Sequence, residues 1–154
     1  MQELVNLLLL NNKTISSMES CTGGGFANEL TNIEGVSAII KFSTVTYSNE
    51  FKIKIGVSEE VIEKYSVYST ETAKEMSKAI ANYTNSSYGI GITGKLNRID
   101  KNNLFGSDNI VFVSIYDAEN NTYFTKEIEV KENTRKKNKA IVINEIVLLL
   151  KDII

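Results

Sequence analysis

Three side chains suited to nucleophilic catalysis lie close together in a chain that contains no histidine. They are Ser37 in the segment EGVSAII, and Tyr47 and Lys52 in the segment TYSNEFK. A serine nucleophile needs a base, and without imidazole the remaining bases are an amine or a phenolate with a lowered pKa. If these groups meet, the pattern predicts a serine amidohydrolase in which Lys52 takes the Ser37 proton, while Tyr47 relays that proton or holds the amine. The alternative is that Lys52 is a solvated lysine and Ser37 a helix cap.

A second candidate feature is the small-residue segment ESCTGGG at residues 19–25, where a predicted strand ends and a predicted helix begins. The free amides of a first helical turn favour an anionic or carbonyl-bearing ligand, so Thr22, Gly23 and Gly24 are candidate binding residues. An equally good interpretation is that the glycines only permit a tight turn and close packing. The segment is neither a P-loop nor a dinucleotide-binding fingerprint, because it lacks the lysine of the first and the glycine spacing of the second.

Two further residues admit both a chemical and a structural interpretation. Cys21 lies beside the predicted helix start, where a thiol can have a lowered pKa and act as a nucleophile. With no histidine as its partner, the sequence favours a packed, unreactive thiol. Arg135 lies at the start of the last predicted helix, where a guanidinium can bind phosphate through two hydrogen bonds. The alternative for Arg135 is a solvent-facing charge in the run KENTRKKNK.

Length and composition indicate one compact domain. The chain has 154 residues, of which 42% are hydrophobic and 23% are charged, which suffices for a single core. A formal net charge of -2 disfavours a general nucleic-acid binder. One cysteine and no histidine exclude an internal disulfide and the usual zinc ligand sets. The leucine run at residues 7–10 is too short to span a bilayer, so a cytosolic protein is predicted.

Alternating helical and strand patterns predict the elements that must position these residues. Helices are predicted at residues 2–10, 26–32 and about 134–153, with further helix starts at Ser58 and Ser69. Strands are predicted at residues 14–18, 38–46, 88–93, 110–116 and 123–130. The last two strands form a hairpin, so the predicted fold class is α/β, with helices packed on a mixed central sheet. The segment YSNEFK is interpreted as a polar stretch that follows a strand.

Three segments together carry a resemblance to a known family. In their order and spacing, ESCTGG, the G-x-S-A step and TYSNE-x-K resemble the CinA C-terminal domain family, whose members include nicotinamide-nucleotide amidohydrolase. The resemblance covers residues 1–154 as a single domain, and it implies a three-layer α/β/α sandwich. It implies hydrolysis of the carboxamide of nicotinamide mononucleotide to nicotinate mononucleotide and ammonia, with no metal and no cofactor. It also implies a homo-oligomer with a small-molecule nucleotide substrate. The net charge and the short leucine run predict neither a nucleic-acid nor a membrane partner.

The resemblance further implies roles for individual residues, carried over by motif. The matched residues are Ser37 as the nucleophile, Lys52 as the general base, Tyr47 as the phenol beside them, Ser20 and Thr93 as further active-site hydroxyls, and Arg135 for the nucleotide phosphate. The segment ESCTGG contains Ser20, and the segment GITG contains Thr93.

The chain departs from the family pattern after GITG, where the family has a Gly-Pro and glycine-rich loop that lines the substrate site. Residues 94–103 read GKLNRIDKNN, and Lys41-Phe42-Ser43 stands where a glycine pair is common. Side chains in place of glycine can block close approach of the backbone to a ligand. Two alternatives therefore stay open: an amidohydrolase that acts on another small amide, and a non-catalytic nucleotide-binding or interaction module.

Overall fold

Five strands form one mixed sheet in the computed structural model, which describes residues 1–154. The strands are β1 (Ile15–Glu19), β2 (Ile40–Val45), β3 (Tyr88–Gly94), β4 (Ile110–Asp117) and β5 (Thr122–Glu129). Their order in the sheet is β2-β1-β3-β4-β5. β1 pairs in parallel with β2 and β3, whereas β4 is antiparallel to β3 and to β5. The predicted mixed sheet with a late hairpin is therefore confirmed.

Six α-helices pack around this sheet. They are α1 (Gln2–Leu10), α2 (Gly25–Thr31), α3 (Asn49–Lys54), α4 (Glu59–Tyr65), α5 (Thr70–Thr84) and α6 (Arg135–Ile153), and a short 3-10 helix spans Val36–Ala38. The hydroxyls of Ser58 and Ser69 accept backbone amides of α4 and α5, which confirms both predicted helix starts. None of the helices combines the length and the apolar content that a bilayer crossing requires.

Helices cover both faces of the sheet. On one face, α1, α2 and α6 pack against alternate residues of β3, among them Ile90 and Ile92. On the other face, α4 and α5 pack on the side of the sheet that carries Met18 of β1. Two separate hydrophobic clusters with a sheet between them make the predicted three-layer α/β/α sandwich.

Two glycines of β3 allow α5 to lie very close to the sheet. A Cβ atom on Gly89 would stand 2.0 Å from the Ser77 carbonyl oxygen, and one on Gly91 would stand 2.3 Å from that of Ala73. Only glycine permits this approach, because any side chain would collide with the helix backbone. α5 is therefore seated directly on the strand that leads to the loop after Gly94.

The order in which strands are added to the sheet changes sides at β1. It passes from β1 to β2 on one side, then crosses to β3 on the other side of β1. In open α/β sheets such a reversal leaves a crevice at the carboxyl ends of the parallel strands. Ser20, Thr46 and Lys95 each follow one of these three strands, so their segments meet at this edge.

Candidate active site

A cavity of about 450 Å³ lies at the carboxyl edge of the three parallel strands. Its walls come from the segments that follow β1, β2 and β3, from the segment before α5, and from the start of α6. The lining residues that carry a charge or a reactive group are Ser20, Tyr47, Lys52, Tyr68, Lys95, Arg98, Asp100 and Arg135. We call this space the Ser20–Lys52 cavity.

Lys52 and Ser20 form the nucleophile–base arrangement of this cavity. Lys52 is 0% exposed, and its Nζ lies 2.6 Å from the Thr46 carbonyl oxygen and 3.4 Å from the Ser20 Oγ. Burial lowers the pKa of Lys52 to about 8, because the apolar surroundings penalise the charged ammonium. A neutral amine within reach of a serine hydroxyl is the arrangement that histidine-free serine hydrolysis requires.

Helix α3 points Lys52 into the cavity. Ser48 caps the helix by accepting the Phe51 amide at 3.4 Å, and the Lys52 amide donates to the Ser48 carbonyl oxygen at 3.3 Å. Lys52 thus lies one helical turn beyond the cap. The sequence interpretation missed this helix by reading YSNEFK as a polar stretch. Ser48 followed by Glu50 was the available signal, since a serine cap and an early acidic residue mark a helix start.

The predicted contact between Ser37 and Lys52 is wrong. Ser37 is exposed on the 3-10 helix that precedes β2, at the amino edge of the parallel strands. Lys52 lies at the carboxyl edge, and the five residue steps of β2, at about 3.3 Å each, separate the two edges. An extended strand therefore holds these residues apart, and Ser20 is the hydroxyl beside the amine.

Tyr47 and Arg135 lie together at the rim of the cavity. Tyr47 is 64% exposed, and its hydroxyl accepts a hydrogen bond from the Arg135 Nη2 at 3.2 Å. The Tyr47 phenol makes no hydrogen bond to Lys52, so the predicted proton relay has no direct path in this structure. Arg135 begins α6 and brings a guanidinium to the cavity, as its predicted role requires.

Four other predicted binding residues lie outside the Ser20–Lys52 cavity, which corrects their predicted place at the substrate site. Thr93 is fully buried, and its hydroxyl donates to the Val67 carbonyl oxygen at 2.8 Å, so it supports the chain before α5. Thr22, Gly23 and Gly24 line a different cavity between α2 and α6. The turn after Ser20 presents these residues to the α6 side of the molecule.

Glu19 holds the turn that follows Ser20, a role that the sequence interpretation missed. Its carboxylate is fully buried and accepts the amides of Phe26 and Ala27 at 3.1 and 3.0 Å. These amides belong to the first turn of α2 and would otherwise lack acceptors. The adjacent Cys21 thiol is buried, and burial raises its pKa to about 12, which supports the packed, unreactive interpretation.

Polar contacts hold the loop after β3 across the cavity. The Tyr68 hydroxyl donates to the Asp100 Oδ2 at 2.5 Å and holds the pKa of that carboxyl below its usual value. The Lys95 Nζ pairs with Asp108 at 2.9 Å and lies 5.3 Å from the centre of the Tyr68 ring. Sequence interpretation treated residues 94–103 only as a departure from a pattern, and it did not find Tyr68, Lys95 or Asp100.

Comparison with known proteins identifies the family. The CinA C-terminal domain matches residues 1–154. The chain belongs to the CinA C-terminal domain family. A CinA-like protein of Endomicrobium trichonymphae is 47% identical over 89 residues, which are 57% of this chain and 21% of that protein. A putative competence-damage inducible protein of Clostridium novyi is 45% identical over 92 residues, 59% of this chain and 22% of that protein. The chain thus spans about a fifth of the length of these CinA relatives.

Solved structures of the CinA superfamily have the same fold. The structure of a superfamily protein from Klebsiella pneumoniae superposes with a TM-score of 0.88 at 20% identity, covering 97% of this chain and 91% of that one. A superfamily protein from Escherichia coli gives a TM-score of 0.89 at 21% identity, covering 99% of this chain and 87% of that one. At this level of identity the likeness establishes the shared CinA fold.

Proposed function

We propose that this chain is an amidohydrolase that deamidates nicotinamide mononucleotide, with Ser20 as the nucleophile and Lys52 as the general base. The observation that carries the proposal is the buried Lys52 amine 3.4 Å from the Ser20 hydroxyl. Family membership supports the reaction class, since the resemblance implies a carboxamide hydrolase. The cited relatives are named only as CinA-like or competence-damage inducible proteins.

The reaction proceeds by acyl transfer. Neutral Lys52 takes the Ser20 proton as the Oγ bonds to the carboxamide carbon, and the resulting ammonium returns that proton to the leaving nitrogen. Ammonia departs and leaves a Ser20 ester. Lys52 is then neutral again and takes a proton from a water, whose oxygen bonds to the ester carbon. As the bond from that carbon to the Ser20 Oγ breaks, the Lys52 ammonium returns the proton to the Oγ, and the nicotinate product leaves.

The charges of the cavity favour a substrate that carries both signs. Lys95, Arg98 and Arg135 supply cations for a phosphate, and Asp100 is the sole carboxylate of the lining. Nicotinamide mononucleotide has a phosphate at one end and a cationic pyridinium ring, bearing the carboxamide, at the other. We therefore place the ring between the Ser20–Lys52 pair and Asp100, and the phosphate toward Arg135.

The experiment that tests this proposal is an ammonia-release assay. The purified chain is incubated with nicotinamide mononucleotide, and ammonia and nicotinate mononucleotide are both quantified. We expect equal amounts of the two products from the wild type and at least a thousandfold slower release from Ser20→Ala. Binding of the nucleotide by calorimetry without any product would instead support the non-catalytic alternative.

A further inference from the structure

A second cavity, of about 550 Å³, lies between α2 and α6 and shares no lining residue with the Ser20–Lys52 cavity. One wall is the turn at residues 22–25, and the opposite wall is a face of α6. Ala140, Ile143 and Val147 make part of the α6 wall apolar, while Lys136 and Lys139 place ammonium groups along the same helix. We call this space the α2–α6 cavity.

Hydrogen-bond donors around the α2–α6 cavity lack partners. Lys136 and Lys139 take part in none of the ion pairs of the protein, although Lys139 is half-buried. The Lys139 Nζ lies over Gly23, only 3.2 Å from where a Cβ atom would stand. The Thr22 hydroxyl is fully buried without a hydrogen-bond partner, and the Gly24 amide has no acceptor. Such groups cost free energy unless a ligand satisfies them.

The lining also has little negative charge to satisfy these donors. Glu29 is its sole carboxylate, and Glu29 is exposed and accepts a hydrogen bond from the Asn28 Nδ2 at 3.4 Å. Two ammonium groups against one carboxylate leave the cavity with an excess of positive charge. An anion is therefore the ligand that matches both the charge and the free donors.

We propose that the α2–α6 cavity binds a small phosphate monoester. Lysine ammonium groups bind phosphate as compact point charges, and a hydroxyl with a backbone amide completes a set of donors for its three terminal oxygens. The Thr22 hydroxyl, the Gly24 amide and the Lys139 ammonium form this set, with Lys136 beside them. The organic part of the ligand lies against Ile143 and Val147. This site stands independently of the reaction proposed for Ser20.

The test uses the full ¹⁵N-labelled chain titrated with phenyl phosphate, whose ring suits the apolar wall. We expect saturable chemical-shift changes at the amides of Gly23, Gly24 and Gly25. Lys139→Met should weaken binding at least tenfold. Lys137→Met is the matched control, because Lys137 lies on the same helix, pairs with Glu132 and does not line the cavity. It should change the dissociation constant less than twofold.

Several outcomes would overturn the proposal. Equal weakening by both lysine variants would mean diffuse charge attraction, and absence of saturation would mean no site. Shifts centred on Ser20 and Lys95 that vanish in Arg135→Met would mean that the probe occupies the other cavity. Benzoate binding as tightly as phenyl phosphate would refute the phosphate assignment. If Lys139→Met fails to fold, Thr22→Val replaces it, with an expected weakening of at least threefold.

Discussion

The Lys52 amine lies 3.4 Å from the Ser20 hydroxyl although 32 residues separate them in the sequence. They meet because β1 and β2 are parallel neighbours, so that the residue after β1 and the helix after β2 reach the same edge of the sheet. The strand register and the Ser48 cap fix both side chains. The chemistry proposed for the chain therefore depends on local elements that substitution can test one at a time.

The first prediction separates the two candidate nucleophiles. Ser37→Ala should retain ammonia release from nicotinamide mononucleotide within about twofold, because Ser37 is exposed at the opposite edge of the sheet. Ser20→Ala should abolish it. The two variants remove the same hydroxyl group, so each controls for the other. Loss of turnover in Ser37→Ala with retention in Ser20→Ala would refute the assignment of Ser20.

The second prediction concerns pH. Lys52 must be neutral to take the Ser20 proton, and its pKa is lowered to about 8. We expect kcat/KM to rise about tenfold per pH unit below that value and to level off above it, since the free-enzyme profile reports the essential base. Measuring ammonia release from pH 6 to 10 checks this. A profile that is flat between pH 6 and 8 would exclude Lys52 as the base.

The third prediction is that Lys52→Met makes the protein more stable and inactive. Lowering the pKa of Lys52 from 10.5 to about 8 makes its burial cost roughly 3 kcal/mol at neutral pH. Lys52→Met removes that cost and loses a hydrogen bond to Thr46 worth about 1 kcal/mol, so the free energy of unfolding should increase by about 2 kcal/mol at pH 7. Activity should disappear.

The size of this stability gain changes with pH in a defined window. Between pH 8 and 10.5 the unfolded wild type binds more protons at Lys52 than the folded state does, so wild-type stability rises with pH. The advantage of Lys52→Met should therefore shrink across that window. Urea denaturation of both proteins at pH 7 and pH 10 measures the difference, and an advantage that grows with pH would contradict the assigned pKa.

The fold followed from the sequence because its signals are local. Short runs rich in β-forming residues predicted the strands, and serine caps predicted the starts of α4 and α5. Helix α3 was not predicted, because its six residues are too few to show the apolar periodicity of a helix. The close seating of α5 on Gly89 and Gly91 was also invisible, since it depends on which strand lies beneath the helix.

The candidate site was predicted only in part, for the same reason. Ser20, Lys52 and Arg135 were each singled out, yet the pairing was assigned to Ser37, which is nearer to Lys52 in sequence. In the folded chain Ser20 is nearer to Lys52 than Ser37 is, because parallel pairing brings the end of β1 beside the end of β2. The contact of Tyr68 with Asp100 joins distant segments and has no sequence signature.

The fourth prediction is that Arg135 binds the phosphate of the substrate. Arg135→Met should raise KM for nicotinamide mononucleotide at least tenfold, because a charge-assisted contact to the phosphate is lost. Hydrolysis of nicotinamide riboside, which lacks the phosphate, should change less than threefold. Lys136→Met is the matched control, since the next residue of α6 lines the other cavity. Equal losses on both substrates in Arg135→Met would mean that Arg135 acts by supporting Tyr47 rather than by binding phosphate.

The last prediction concerns the charge of the substrate ring. Asp100 is the sole carboxylate of the Ser20–Lys52 cavity. Like an ordinary carboxyl it is ionised at neutral pH, and the hydrogen bond from Tyr68 lowers the pKa of Asp100 further. Attraction to a pyridinium a few ångströms away is worth about 1 to 2 kcal/mol at a partly exposed site. Asp100→Asn should therefore lower kcat/KM for nicotinamide mononucleotide about tenfold.

The reduced nucleotide separates charge from shape in this test, because its dihydropyridine ring is neutral and carries the same carboxamide and phosphate. Asp100→Asn should change kcat/KM for the reduced form less than twofold, so that the preference for the oxidised ring falls. Tyr68→Phe, which keeps the carboxylate and removes its hydrogen-bond donor, should alter that preference little. If Asp100→Asn slows both forms equally, Asp100 serves to hold the loop in place, and recognition of the cationic ring must come from another group.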